Sequence, residues 1–176
     1  MRLEEKRIKS EYKFRGKIIS VRVDDVVLPD GSPAFREIVE HSGGVCALPI
    51  DDDGFVYFVR QFRAPYERET LEIPAGKRDA QEDAKFGATR ELKEEIGASP
   101  REMISLGQIY PSPGYCGEII HIFLAKGLDF SEQELDDGEF LNVVKMPYKE
   151  ALVCAENGEI KDAKTLVALL KAKRFL

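Results

Sequence analysis

Apolar and polar residues alternate through Ile19-Ser20-Val21-Arg22-Val23, the two-residue period of a strand with one face covered. The flanking stretch, Lys17 to Leu28, is rich in β-branched residues, and Pro29-Asp30-Gly31-Ser32 turns the chain into a second strand from Ala34 to His41. The chain up to about residue 40 thus reads mostly as strands. After Ser42-Gly43-Gly44, Val45 to Ile50 and Phe55 to Phe62 read as strands joined by a hairpin-like turn at Asp51-Asp52-Asp53-Gly54. Glu72 to Gly76 enters a loop. The period then lengthens: Ala84, Ala88, Leu92 and Ile96 recur every four residues and predict a helix over Gln81 to Ile96, ended by Gly97. Asp79 with Glu82 resembles a capping box at its start, and Gly87 inside it costs ~1 kcal/mol against alanine. Strands follow at Met103 to Tyr110 and Glu118 to Ala125, separated by Pro111-Ser112-Pro113-Gly114. Leu128 to Glu139 is acidic and predicts a mobile loop. A strand over Phe140 to Met146 and helices over Tyr148 to Glu156 and Asp162 to Lys173 complete the chain. Strands mixed with a few helices, without repeats or a convincing linker, predict an α/β or α+β layered domain.

Composition narrows the function classes. The 176 residues suit one compact domain with room for an appendage. A net charge of -6 disfavours nonspecific nucleic-acid binding but not a nucleotide substrate, which a few arginines and metal ions can hold. The charged start lacks the apolar core of a secretory signal, and no apolar run approaches the ~18–20 residues that span a bilayer. A cytoplasmic protein without membrane contact is expected. Cys46, Cys116 and Cys154 are odd in number and widely spaced, as expected of free thiols in a reducing compartment. His41 and His121 have no partner at metal-ligand spacing.

The chemistry concentrates on the predicted helix. At about 100° per residue, Glu95 lies near ~40° and Glu94 near ~-60° from Glu91, so three carboxylates crowd one face beside the apolar ridge. Like charges at this spacing destabilise an isolated helix by a few tenths of a kcal/mol. They become useful around a hard divalent cation that takes oxygen ligands, orients a diphosphate and acidifies water. The competing reading, a solvated acidic face, suffices for Glu94-Glu95 alone but not for the whole constellation.

That constellation resembles the Nudix box, GX5EX7REUXEEXGU with U a bulky aliphatic residue. Gly76, Glu82, Arg90, Glu91, Leu92, Glu94, Glu95 and Gly97 match at every fixed spacing, and Ala98 is smaller than the usual last residue. The resemblance implies an α/β Nudix fold, a mixed β-sheet sandwiched between helices with an N-terminal β-strand appendage. It implies residues 1–40 as dimer-forming strands and 41–176 as the catalytic domain. It also implies Mg²⁺, with Mn²⁺ as an alternative, held by Glu91 and Glu95 with Glu94 close by and the Ala75 carbonyl contributing. Arg90 orients the glutamates by ion pairing.

From about Arg36 to Leu170 the chain is similar to the ADP-ribose pyrophosphatase branch. The features are Arg60-Gln61-Phe62-Arg63, Glu72-Ile73-Pro74-Ala75-Gly76 and Ser112-Pro113-Gly114, with Pro113 lying 16 residues past Gly97. Arg36 and Arg63 are candidates to clasp phosphate or base, or else surface ion-pair partners. Glu72 and Glu118 are candidate metal or ribose contacts, or ordinary strand-end carboxylates. Pro113 with Gly114 is a candidate wall over the terminal ribose, or a plain turn. Phe35, Tyr66 and Tyr115 are candidate adenine stackers. For the base or a further metal contact, Glu139 ranks first and Asp137 second, on a loop that orders with substrate. The expected reaction is ADP-ribose plus water giving AMP and ribose 5-phosphate. The rivals are a Nudix hydrolase of other nucleoside diphosphate sugars or dinucleotides, and a non-catalytic ADP-ribose sensor.

Overall fold

The computed structural model describes residues 2–79 and 81–176; Met1 and Ala80, which fall in the predicted N-terminal segment and just before the predicted helix, lie outside the described residues. The chain forms two compact units, Met1–Gly43 with Tyr110–Ile119, and Gly44–Ile109 with Ile120–Leu176.

The first unit is a three-stranded antiparallel sheet, ordered β1 (Lys6–Arg15), β2 (Ile19–Val27), β3 (Pro33–His41). The β-branched run became β2, as its alternation predicts. β1 is exposed along its whole length. The segment around Pro113 folds onto β3: Val39 N–H donates to the Tyr115 carbonyl at 2.8 Å, and Gly117 N–H to the Val39 carbonyl at 2.9 Å.

The second unit is built on a mixed sheet. Its order is β10 (Leu141–Pro147), β5 (Phe55–Arg63), β4 (Gly44–Ile50), β9 (Ile120–Phe130), β8 (Ala98–Ile109), with β6 (Arg68–Glu72) on β5 and β7 (Ala75–Lys77) on β4. Only the β4–β9 pairing is parallel among these described pairs. Every residue of β4 is buried because both of its faces are covered. Val45 and Ala47 face α1 (Ala84–Ile96) with Val59, Phe123, Ala88, Leu92 and Ile96. Cys46, Leu48 and Ile50 face α2 (Tyr148–Glu156) and α3 (Ala163–Ala172) with Phe58, Ile122, Leu124, Ala151 and Leu169. The four-residue apolar ridge is therefore what seats α1, and truncating the fully buried Leu92 to alanine is worth about 2–5 kcal/mol of core.

Several boundaries differ from the sequence expectation, each for an identifiable reason. The loop expected at Glu72 to Gly76 is where two short strands, β6 and β7, end and begin. α1 starts at Ala84, because Asp83 rather than Asp79 is the cap: its carboxylate accepts from Lys85 N–H at 3.1 Å and Phe86 N–H at 3.0 Å. The Asp79–Glu82 pair forms a turn just ahead, with Glu82 Oε2 accepting from Asp79 N–H at 3.2 Å. Strand pairing extends β8 back to Ala98 and β9 forward to Phe130, where local sequence signals are weak. The acidic stretch after β9 is pinned at its start. Ser131 N–H donates to the Gly97 carbonyl at 2.7 Å, Glu134 N–H to the Glu94 carbonyl at 3.0 Å, and the Gln133 amide to the Glu95 carbonyl. The last-turn carbonyls of α1 have no partner within the helix, so a distant segment supplies their donors. No described helix is long and apolar enough to cross a membrane.

Candidate active site

The glutamates of α1 are held in three different ways. Arg90 is the hub of the outer ones: Nη1 reaches Glu94 Oε2 at 2.7 Å and Glu91 Oε1 at 2.9 Å, Nε reaches Glu82 Oε1 at 3.2 Å, and Nη2 donates to the Lys77 carbonyl at 3.3 Å. One guanidinium thus fixes three of the four carboxylates in the motif. Glu91 leans on the backbone of Gly76, where a Cβ atom would fall 2.0 Å from Glu91 Oε1. Gly87 has the same kind of reason: a Cβ there would lie 2.5 Å from Glu82 Oε2. Glu95 is 1% exposed and accepts a hydrogen bond from Ala75 N–H at 3.1 Å.

The electrostatics set Glu91 and Glu95 apart. Burial pushes Glu95 up to about 8, and the neighbouring charges of Glu91 and Glu139 add to that rise against the opposing Ala75 N–H and Lys164 charge. Burial likewise pushes Glu91 up to about 7, helped by Glu94 and Glu139 and opposed by Arg90. Glu91 thus has Arg90 beside it, while Glu95 is bonded to a backbone N–H and to no cationic side chain among the described residues. Glu139, the predicted base, adds to both rises through its charge; its loop turns back on itself with Glu139 N–H donating to the Asp136 carbonyl at 3.0 Å. Asp137 is exposed in that turn.

Next to Glu95, a second carboxylate is fully provided for. Glu72 accepts from Arg63 Nε and Nη2, both at 2.7 Å, from Thr70 Oγ1 at 2.6 Å, and from the buried Lys164 ammonium. Burial would raise its pKa, but the Arg63 hydrogen bonds and the Lys164 charge outweigh it and hold Glu72 at about 2. Arg63 is thus joined to Glu72 rather than standing free, with its side chain 38% exposed. Lys164, Asp162 and Thr165 are participants that the sequence did not single out. The available signal was Asp162 at the start of the last helix, where a capping side chain is expected, but nothing local places Lys164 against Glu72, 92 residues away.

The remaining candidates, Tyr66 apart, lie in the first unit. Arg36 pairs with Glu5 through Nε at 3.0 Å and through Nη2, the surface ion pair that stood as its alternative reading. Glu118 lies 3.4 Å from His41 Nδ1. Pro113 and Gly114 sit in a turn closed by Cys116 N–H donating to the Ser112 carbonyl at 2.9 Å. Phe35, Tyr66 and Tyr115 are exposed.

Among the described residues, no group of three His, Cys, Asp or Glu side chains is gathered into a metal cage. Mg²⁺ does not need one, since it is usually bound through one or two carboxylates and keeps waters and substrate phosphates. The buried Glu95 and the half-buried Glu91, both with raised pKa values, are a donor set that a hard cation satisfies, so the residues fit such an ion.

The comparisons agree with this geometry. The NUDIX domain model matches residues 40–169, and the nucleoside diphosphate sugar hydrolase N-terminal domain model matches residues 5–39. An ADP-ribose pyrophosphatase of Bacillus subtilis is 44% identical over 95% of this chain and 91% of its own length. A methanol dehydrogenase activator of Bacillus methanolicus is 41% identical over 94% and 91%. A crystal structure of an ADP compounds hydrolase superposes with a TM-score of 0.88 at 24% identity, covering 100% of this chain and 96% of the other. The carboxylate-bearing helix, the mixed sheet beneath it and these matches along nearly the full length have one explanation: the chain belongs to the Nudix family.

Proposed function

We propose that this protein hydrolyses the diphosphate of ADP-ribose to AMP and ribose 5-phosphate with Mg²⁺, or alternatively Mn²⁺. The observation that carries the chemistry is the pair of carboxylates on α1 with raised pKa values, the half-buried Glu91 and the buried Glu95. The choice of substrate rests on the likeness to the Bacillus subtilis ADP-ribose pyrophosphatase over 91% of that protein.

Glu91, Glu95 and the Ala75 main-chain carbonyl would hold the cation, with Glu94 close by. When bound, the ion neutralises the diphosphate and lowers the pKa of water. Arg90 keeps Glu91 and Glu94 in place. Glu139 takes a proton from the attacking water, with Asp137 as the alternative. The water oxygen bonds to one phosphorus, and the bond from that phosphorus to the bridging oxygen breaks. Arg63 offers its exposed guanidinium edge to the substrate while Glu72 fixes its direction. Catalysis of this kind is positioning and charge neutralisation more than covalent chemistry.

Residues 1–40 form the segment that pairs with a second copy, residues 41–176 the catalytic domain. A β1 strand exposed throughout, with Ile8 and Phe14 more than half exposed, supports this reading. A fully active monomer in sedimentation and kinetic assays overturns it.

A second reading is hydrolysis of another nucleoside diphosphate sugar. It is favoured by the N-terminal family match and by a GDP-mannose pyrophosphatase of Yersinia enterocolitica, 31% identical over 79% of this chain. A substrate panel with product analysis separates the two. A sensor without turnover has less support, because every glutamate of the motif is present.

The deciding test is AMP release from ADP-ribose with Mg²⁺. Glu95→Gln is expected to lower turnover about 1,000-fold, roughly 4 kcal/mol of transition-state stabilisation. Unchanged turnover in that variant refutes the assignment.

A further inference from the structure

The segment Glu72 to Ala75 leads directly into the Gly76 cradle, and its residues are held between them by β5, α3, β4 and α1. Glu72 is gripped by Arg63 of β5 and Lys164 of α3. Ile73 N–H donates to Thr165 Oγ1 of α3 at 2.9 Å. The Pro74 carbonyl accepts from Ala47 N–H of β4 at 3.1 Å, and Ala75 N–H donates to Glu95 of α1 at 3.1 Å. Pro74 has no N–H, so every backbone donor from Ile73 to Ala75 is used.

The contribution of α3 has a defined proton arrangement. Thr165 is fully buried. Its hydroxyl donates to Asp162 Oδ2 at 2.6 Å, since an ionised carboxylate can only accept, and this leaves an oxygen lone pair for Ile73 N–H. Asp162 Oδ2 also accepts from Thr165 N–H at 3.0 Å, and Oδ1 from the Lys164 ammonium at 3.0 Å. An ordinary helix cap would end with the bond to the backbone N–H. Here the capped side chain passes the constraint on to a main chain 92 residues away, beside Glu95.

We propose that Thr165, oriented by Asp162, is a positioning residue for the cation site: through Ile73 N–H it sets where the Ala75 main chain meets Glu95. This rests on the reading of Glu91, Glu95 and Ala75 as cation ligands. Groups one step removed from a metal typically change its affinity by about 10–100-fold.

The test is titration with Mn²⁺ alone, following the free ion by electron paramagnetic resonance. Thr165→Val keeps the shape and removes the acceptor; it is expected to weaken Mn²⁺ binding about 10-fold, whereas Thr165→Ser stays within about 2-fold of the unaltered chain. Full Mn²⁺ affinity in a folded Thr165→Val protein overturns the proposal, as does a serine variant as weak as the valine one. If the valine variant does not fold, Asp162→Asn carries the test: about 3-fold weaker binding supports the proposal, and unchanged binding overturns it. Glu95→Gln is the control. If Mn²⁺ affinity survives that change, the cation site itself is misplaced and both readings fall. If it is lost in Glu95→Gln but intact in Thr165→Val, only the positioning role fails.

Discussion

Glu72 and Glu95 are buried to nearly the same degree, 3% and 1% exposed, in the same unit. Their surroundings differ in kind. Glu72 has two cations and a hydroxyl on its oxygens and is held at about 2. Glu95 has one backbone N–H, and burial, with the charges of Glu91 and Glu139 adding to it, pushes it up to about 8. The first is a finished ion-pair network and the second lacks a cation. Burial alone therefore does not say whether a carboxylate is structural or functional; its unmet charge does.

The comparison can be broken most severely at Glu72. Glu72→Gln leaves Lys164 and Arg63 facing a neutral group, and removal of one partner from a buried network costs about 3–5 kcal/mol. Chemical denaturation is expected to show that loss without metal present. A loss below about 1 kcal/mol makes Glu72 no more than a surface salt bridge.

The pH dependence of stability in the metal-free protein sharpens the contrast, because the two sites have opposite signs. Glu72 is depressed in the folded state, so its contribution is present above the usual carboxylate range and is lost as pH falls from about 4.5 toward 2. That shift corresponds to about 3 kcal/mol. Glu91 and Glu95 are raised, so the folded state holds more protons than the unfolded one between about 4.5 and about 8. Their contribution therefore declines as pH rises through that window. Denaturant midpoints should pass through a maximum on the acid side of neutrality and lose that maximum when Mg²⁺ is added.

The smallest effect is expected from Glu95→Gln without metal at pH 8. Replacing an unmet charge by a neutral amide should leave stability unchanged or raise it by about 1 kcal/mol. A marked loss would mean that Glu95, like Glu72, is a structural group.

The sequence made one half of this contrast legible and hid the other. Glu91, Glu94, Glu95 and Arg90 are neighbours on one helix, so helical spacing and a resemblance find them together. The Glu72 network joins β5, β6 and α3, and tertiary packing alone brings Lys164 and Thr165 to it. The same distinction explains the elements. β2, β4, α2 and α3 follow from local period and turn residues. The start of α1 depended on which of two nearby aspartates caps it, and the ends of β8 and β9 on pairing that neither strand encodes by itself.

Gly76 carries a consequence for how such a protein tolerates change. The atom that a side chain there would meet first is the carboxylate end of Glu91, the free end of a flexible arm. The backbone has no need to yield; the arm swings away. At this position the durability of the fold and the integrity of the proposed cation site are separable, and a single added methyl group is expected to trade away the second while sparing the first.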